Sequence, residues 1–263
     1  MQSTGDMPVA LAIAGSDSGG GAGVQADLLT MSANGVFGTT AITCLTAQNP
    51  DGVTKIQSLP AEFVHEQIEQ VHRYFRIGAI KTGMLFNTEI VEIVADFLEK
   101  NDEIPAVIDP VMVATSGAVL LHESAIEALQ LKLLPRAALI TPNLDEAAVL
   151  LGEKPGTVED MTTAADHLAG LMGVPVLLKG GHLEAAEEVV DILAVPGREP
   201  SAFSARRIEN INTHGSGCTL SSAIAANLAK NWELTKAVGE ALTYLRRGLR
   251  QPLYLNGIPF ISH

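Results

Sequence analysis

The residues of this chain best suited to chemistry are Asn212-Thr213-His214-Gly215-Ser216-Gly217-Cys218, which run directly into Thr219-Leu220-Ser221-Ser222-Ala223-Ile224-Ala225-Ala226-Asn227-Leu228. Leu220, Ala223, Ile224, Asn227 and Leu228 recur at helical spacing, so a helix is predicted to begin near Gly217. The first turn of a helix leaves backbone N–H groups without partners and carries about half a positive charge. Glycines there let an anion approach those amides. Gly215, Ser216 and Gly217 are therefore suited to a phosphate or a developing oxyanion. Cys218 stands where a helix start lowers a thiol pKa from about 8.5 toward neutrality. An anion cradle beside an activatable base points to phosphoryl transfer. The same run also reads as a glycine turn that caps a helix, with Cys218 a small core residue, and other segments must decide between the two.

Those segments all lie where strand-like runs end. Gly15-Ser16-Asp17-Ser18-Gly19-Gly20-Gly21-Ala22-Gly23 follows the first run, and five glycines in nine residues favour close approach of a ligand over a plain flexible turn. Gly21 to Ala26 fits the pattern G-x-G-x-x-A, but the next strand ends in Gln48-Asn49 without the acid a dinucleotide fold requires, and no P-loop pattern occurs. Asp27, on the following helix, reads as a possible surface acid. The Gln48 amide suits an aminopyrimidine-like edge or a solvated turn equally well. Asp109 is a candidate for Mg²⁺ or phosphate, or a turn cap. Asn143 and Glu146 fit both a capping box and a water-mediated Mg²⁺ site. Lys179, ahead of two glycines, can reach triphosphate oxygens. His182 and His214 read as loop histidines, since no spacing makes a zinc site.

The elements that must hold these residues alternate between strand and helix. Strands are expected at Val9–Ala14, Ala41–Ala47, Ile77–Lys81, Ala106–Asp109, Ala138–Thr141 and Val174–Lys179, and a closing hairpin at Val189–Val195 and Ala202–Ile208. Helices are expected at Gly23–Ala33, from Pro60 through Phe75, Asn87–Leu98, Ser124–Leu134, Asn143–Leu151, Thr162–Met172, along the Cys218 segment, and from Thr235 to about Leu253. This alternation means a mostly parallel sheet covered on both faces: one domain, residues 1–263, with a three-layer α/β/α sandwich. Ligands in such sheets bind beyond the carboxyl ends of the strands, where the candidates fall.

Composition narrows the functional classes. Of 263 residues 47% are hydrophobic, enough for a large core, and the net charge of −13 argues against nucleic acid or an acidic membrane as partner. Two distant cysteines, Cys44 and Cys218, make no disulfide framework and suit a reducing cytoplasm. The first basic residue is Lys55, so a signal peptide is not expected, and no apolar run reaches the ~20 residues of a membrane span.

Gly19 to Asp27, Thr46-Ala47-Gln48-Asn49, Lys81-Thr82-Gly83-Met84-Leu85, Asp109-Pro110-Val111-Met112, Thr141 to Ala147, Lys179-Gly180-Gly181-His182 and the Cys218 run follow one another in an order that resembles the bacterial hydroxymethylpyrimidine/phosphomethylpyrimidine kinases of thiamine biosynthesis, in the ribokinase-like superfamily. The resemblance spans nearly the whole chain. It implies a ribokinase-like sandwich, usually a homodimer, using Mg²⁺ and ATP. It implies phosphorylation of 4-amino-5-hydroxymethyl-2-methylpyrimidine and then of its monophosphate. Gly15, Asp27, Gln48, Met84 and Val111 would line the pyrimidine site. Asp109, Asn143 and Glu146 would serve Mg²⁺ and phosphates. Lys179, Thr213 and His214 would lie by the ATP phosphates, and Gly215 to Cys218 would form the anion hole with Cys218 as base. Gln48 stands where some members have Glu, and Thr115 where a lysine is often seen. Rival readings are a pyridoxine or pyridoxal kinase of the same fold, a thiol hydrolase pairing Cys218 with a histidine, and a nucleotide sensor without transfer activity.

Overall fold

The computed structural model of this protein describes residues 6–112, 123–181, 183, 187–209 and 211–263. Thr115 and His182 lie outside them. The chain runs β1 (Val9–Asp17), α1 (Gly23–Ala33), β2 (Phe37–Asn49), β3 (Gly52–Ser58), α2 (Ala61–Tyr74), β4 (Ile77–Thr82), α3 (Thr88–Lys100), β5 (Ala106–Ile108) and α4 (Glu123–Ala128). It continues with β6 (Leu139–Ile140), α5 (Leu144–Leu151), α6 (Val158–Met172), β7 (Val176–Leu178), β8 (Glu188–Ala194), β9 (Ser201–Arg206), α7 (Ser216–Ala229), α8 (Leu234–Arg250), β10 (Leu253–Leu255) and β11 (Ile258–Phe260).

Among the described residues nine strands form one sheet in the order β3-β2-β1-β4-β5-β6-β7-β8-β9. The pairs from β2 through β7 are parallel, and β3, β8 and β9 add antiparallel edges. This is the expected three-layer sandwich. Its physical basis is alternation along each buried strand. Leu11, Ile13, Ile80, Ile108 and Ile140 join one apolar core with α2, α3, α5 and α6, while Ala10, Ala12, Ala79, Val107, Leu139 and Leu177 face α7 and α8. The chain leaves β1 first toward β2 and later returns to its other side as β4. The carboxyl ends of β1 and β4 therefore border the switch point, where open α/β sheets bind ligands.

Several boundaries differ from those expected. The edge strand β3 and the hairpin β10–β11 carry too few buried side chains to produce a clear period, and the chain turns out of α8 at Arg250, before Leu253. Phe75 leaves α2 in an extended conformation. The expected helix to Leu134 is α4 followed by a wider turn over Leu129–Leu133 and a tight one over Leu134–Arg136, where Pro135 interrupts the regular pattern.

Candidate active site

The alternation that builds the sheet also places the chemistry. Two residues beyond Ala79, Val107, Leu139 and Leu177, on the face toward α7, stand Lys81, Asp109, Thr141 and Lys179. Helix α7 meets them with its first two turns. Gly217 and Ser221 are four apart and share one face. A methyl added to Gly217 would lie 3.4 Å from both Asp109 Oδ2 and Lys179 Nζ, and the Ser221 hydroxyl is 3.4 Å from Asp109 Oδ2. Cys218 and Ser222 share the adjacent face, and Ser222 donates to Asp27 Oδ1 at 2.7 Å.

Two glycines let the loops close over this helix end. Gly215 has φ +82°, and a side chain on it would run into the Gly21 carbonyl, so the anion loop and the glycine-rich β1–α1 loop can pack only with glycine there. Gly180 donates its amide to Asp191 at 3.0 Å and lies flush against the Val190 carbonyl, which holds the end of β7 and thus Lys179 in place. The Gly217 and Cys218 amides have no hydrogen-bond acceptor among the described residues, while Ser216 and Thr219 donate to the Thr213 and Gly215 carbonyls. Unpaired backbone amides, as predicted for this helix start, are present.

The phosphate-side candidates converge. Lys179 Nζ is 2.9 Å from Asp109 Oδ1, which also accepts from Thr141 at 3.2 Å. Asn143 and Glu146 do form a capping box, with Glu146 buried. Burial and the Asp109 charge push the Glu146 carboxyl up to about 7, against Lys179 and the Asn143 and Met112 amides. Val111, just before Met112, has φ +32°, a conformation that costs a β-branched residue about 1–3 kcal/mol and concentrates at functional sites. Among the described residues no three His, Cys, Asp or Glu side chains cluster as a metal cage. Two carboxylates that repel each other across one lysine instead suit a phosphate-bound Mg²⁺ held in part through water.

Toward the switch point, a methyl on Gly15 would lie 2.8 Å from Cys44 Sγ and 3.8 Å from Met84 Cβ, so Gly15 and Met84 are brought together as the resemblance implies. Asp27 is not a surface acid. It is fully buried, with both oxygens 2.8 and 2.9 Å from the equally buried Lys81 ammonium. Burial raises the Asp27 carboxyl. Burial alone would lower Lys81, but Asp27, Cys218 and Asp109 outweigh it and raise its pKa.

The expectation for Cys218 is overturned. Its thiol is pushed up to about 11, because burial and the nearby Asp27 and Asp109 carboxylates outweigh Lys81 and the amide of Gly23. Half a helix charge at the surface is the smaller effect. The thiol nonetheless lies near Lys81, Asp27 and Asp109 and accepts from the Gly23 amide, and the residue remains partly accessible. Iodoacetamide alkylation of Cys218 is expected to keep rising by about tenfold per pH unit through pH 10, since the thiolate is the nucleophile. A plateau by pH 8 would contradict this ionisation. Buried Cys44, itself raised by burial, stays unmodified.

Thr213 is exposed. His214 Nε2 is 3.2 Å from Asp17 Oδ2 and 3.2 Å from the Gln48 amide. It is not paired with Cys218, which removes the support for a thiol–histidine hydrolase. Asp17, Lys81 and Ser222 carried no role in the sequence reading. Lys81 was detectable: a lysine within an otherwise buried strand needs a counter-charge. A surface hollow lined by Met7, Leu28 and Phe37 lies at the start of β2, away from these strand ends.

Comparison with known proteins identifies the family. The family model for phosphomethylpyrimidine kinase matches residues 17–259. The chain is 46% identical over 242 residues to the hydroxymethylpyrimidine/phosphomethylpyrimidine kinase of Rhizobium meliloti (strain 1021), covering 92% of this chain and 90% of that one. Its fold is similar to phosphomethylpyrimidine kinase from Clostridium difficile 630, with a TM-score of 0.81 and 40% identity across 91% of this chain and 98% of the other. It is also similar to a Bacillus subtilis pyridoxal kinase solved as an ADP complex, with a TM-score of 0.90 and 34% identity across 98% of both chains. On this similarity the chain is a member of the phosphomethylpyrimidine kinase family.

Proposed function

We propose that this chain transfers the γ-phosphoryl group of ATP to the hydroxyl of 4-amino-5-hydroxymethyl-2-methylpyrimidine and then a second phosphoryl group to the resulting monophosphate, in thiamine diphosphate biosynthesis. The observation that carries the reading is the convergence of the unpaired Gly217 and Cys218 amides with Lys179 and Asp109 at the start of α7. Donors preset around a migrating phosphoryl group supply most of the catalysis in such transfers.

The unpaired amides of Gly217 and Cys218 receive the transferred group, and Lys179 neutralises phosphate charge. Asp109 and Glu146, with Asn143, would hold Mg²⁺, which when bound neutralises the triphosphate. Gly15, Gln48, Met84 and Val111 line the pyrimidine side, above the buried Asp27. Cys218 takes the hydroxyl proton. Only the thiolate can accept that proton, becoming the thiol as the hydroxyl oxygen bonds to phosphorus. With the thiol pushed up to about 11 the thiolate is the minor form at neutral pH, so transfer to the alcohol is expected to speed up as pH rises.

The Bacillus subtilis pyridoxal kinase similarity supports a second reading in which pyridoxal is the acceptor. Gln48 and Met84 favour the aminopyrimidine. A coupled ATP-consumption assay with the aminopyrimidine alcohol, its monophosphate and pyridoxal tests both. Turnover of the first two acceptors is expected, and turnover of pyridoxal alone would overturn the assignment.

The proposal treats residues 1–263 as one catalytic unit that acts in the cytoplasm, an assignment supported by its two free thiols. Among the described residues no helix is long and apolar enough to cross a membrane. A homodimer is the proposed assembly, supported by the exposed Leu45 and Val53 on the β2–β3 ribbon. Light scattering should give the mass of two chains, and a single-chain mass would refute it.

A further inference from the structure

We infer that His214 is a positioning residue that fixes which end of the Gln48 amide meets the substrate, a role that rests on the pyrimidine reading above. The inference comes from counting protons along one hydrogen-bonded chain. Asp17 accepts the amides of Gly19 at 2.8 Å, Gly21 at 3.1 Å and Ala22 at 2.9 Å. Burial pulls its carboxyl up, but His214 and the Gly19 and Ala22 amides outweigh that and hold it below the usual range, so it is an acceptor at neutral pH. His214 Nε2, 3.2 Å away, must then carry the ring proton. A protonated Nε2 cannot also accept from the nitrogen of the Gln48 amide, the atom 3.2 Å from it.

The far end of the same amide meets a second conflict. Thr46 Oγ1 lies 2.9 Å from the Ser16 carbonyl and 3.1 Å from Gln48 Oε1, yet a hydroxyl has one proton. The carbonyl can only accept, so the proton goes there, and the Gln48 group facing Thr46 must donate. Turning the amide by 180° resolves both conflicts at once. Its oxygen then shares the His214 Nε2 proton with Asp17, and its nitrogen donates to Thr46. One N–H and one lone pair remain for a ligand, in a fixed order that matches a ring nitrogen beside an exocyclic amine in one pose.

The surroundings keep the imidazole in place. A methyl on Gly21 would come within 3.0 Å of His214 Cδ2 and 3.4 Å of Phe260 Cε1, so the ring and the C-terminal hairpin both pack against a residue that has no side chain. The His214 amide is tied to Asn212 Oδ1 at 2.9 Å.

The first test needs no substrate, so its result stands apart from the functional assignment. Long-range ¹H–¹⁵N correlation spectra of the full chain labelled at histidine, assigned with His214→Ala, are expected to show the Nε2–H tautomer for His214. An Nδ1–H tautomer would overturn the inference. In kinetics, His214→Ala is expected to raise KM for the aminopyrimidine alcohol by about threefold to tenfold, the cost of ordering a freed amide, with KM for ATP and kcat nearly unchanged. Gly21→Ala, which displaces the ring and retains the imidazole, should move KM in the same direction. A rise confined to KM for ATP, or a loss of kcat alone, would assign His214 to the phosphates instead.

Discussion

Cys218→Ala is expected to slow phosphorylation of the alcohol by about a hundredfold, the lower end of what a general base supplies. The same variant should slow phosphorylation of the monophosphate by no more than about threefold. The second acceptor is a phosphate oxygen whose last proton leaves near pH 6, so at neutral pH it needs no base. The amides of Gly217 and Cys218 belong to the backbone and survive the substitution, so anion stabilisation continues in both steps. Separate rapid-quench measurements of the two transfers would read this ratio. Equal losses in both would remove Cys218 from proton transfer and leave it a packing residue at the mouth of α7.

Lys81→Met should destabilise the fold by about 3–5 kcal/mol, because it leaves the Asp27 carboxylate buried without a counter-charge. For a chain of this size that corresponds to a fall in melting temperature of roughly 10 °C. Replacing both partners, Lys81→Met with Asp27→Leu, should recover most of the stability, since a buried ion pair contributes little beyond an apolar pair of similar volume. The recovered protein should still phosphorylate the alcohol poorly. Lys81 opposes the rise of the Cys218 pKa more strongly than Asp27 adds to it, so losing both charges still leaves the thiolate scarcer. Calorimetry of the three variants beside their initial rates separates the two effects. A double variant as unstable as the single one would show that Lys81 serves something other than its pairing with Asp27.

The two predictions draw on information of different kinds. The unpaired amides at the start of α7 were legible in the order of residues, because a helix start leaves its first amides without partners whatever surrounds them. The parallel sandwich was legible for a similar reason: buried strands such as Ala106–Ile108 and Leu139–Ile140 are apolar throughout and alternate with amphipathic helices. The capping box at Asn143 and Glu146 was legible as a motif, and the structure adds that Glu146 is buried beside Asp109 and Lys179, so the two readings of that motif describe one residue. The strand β3 and the hairpin β10–β11 were not legible, since their largely exposed residues carry no burial pattern.

Ionisation and partnership required the folded chain. The run containing Cys218 identifies a thiol at a helix start, but its pKa depends on how much water is excluded and on which carboxylates stand near, and Asp27 and Asp109 reach it from positions far apart in sequence. Asp27 looked like a surface acid on α1 and is a buried partner of Lys81. His214 looked like a loop residue, and its ring bridges β1 and β2. Local spacing determines which backbone groups lack partners. Long-range packing alone determines which charges share a low-dielectric interior, because that energy depends on distances the linear order does not contain.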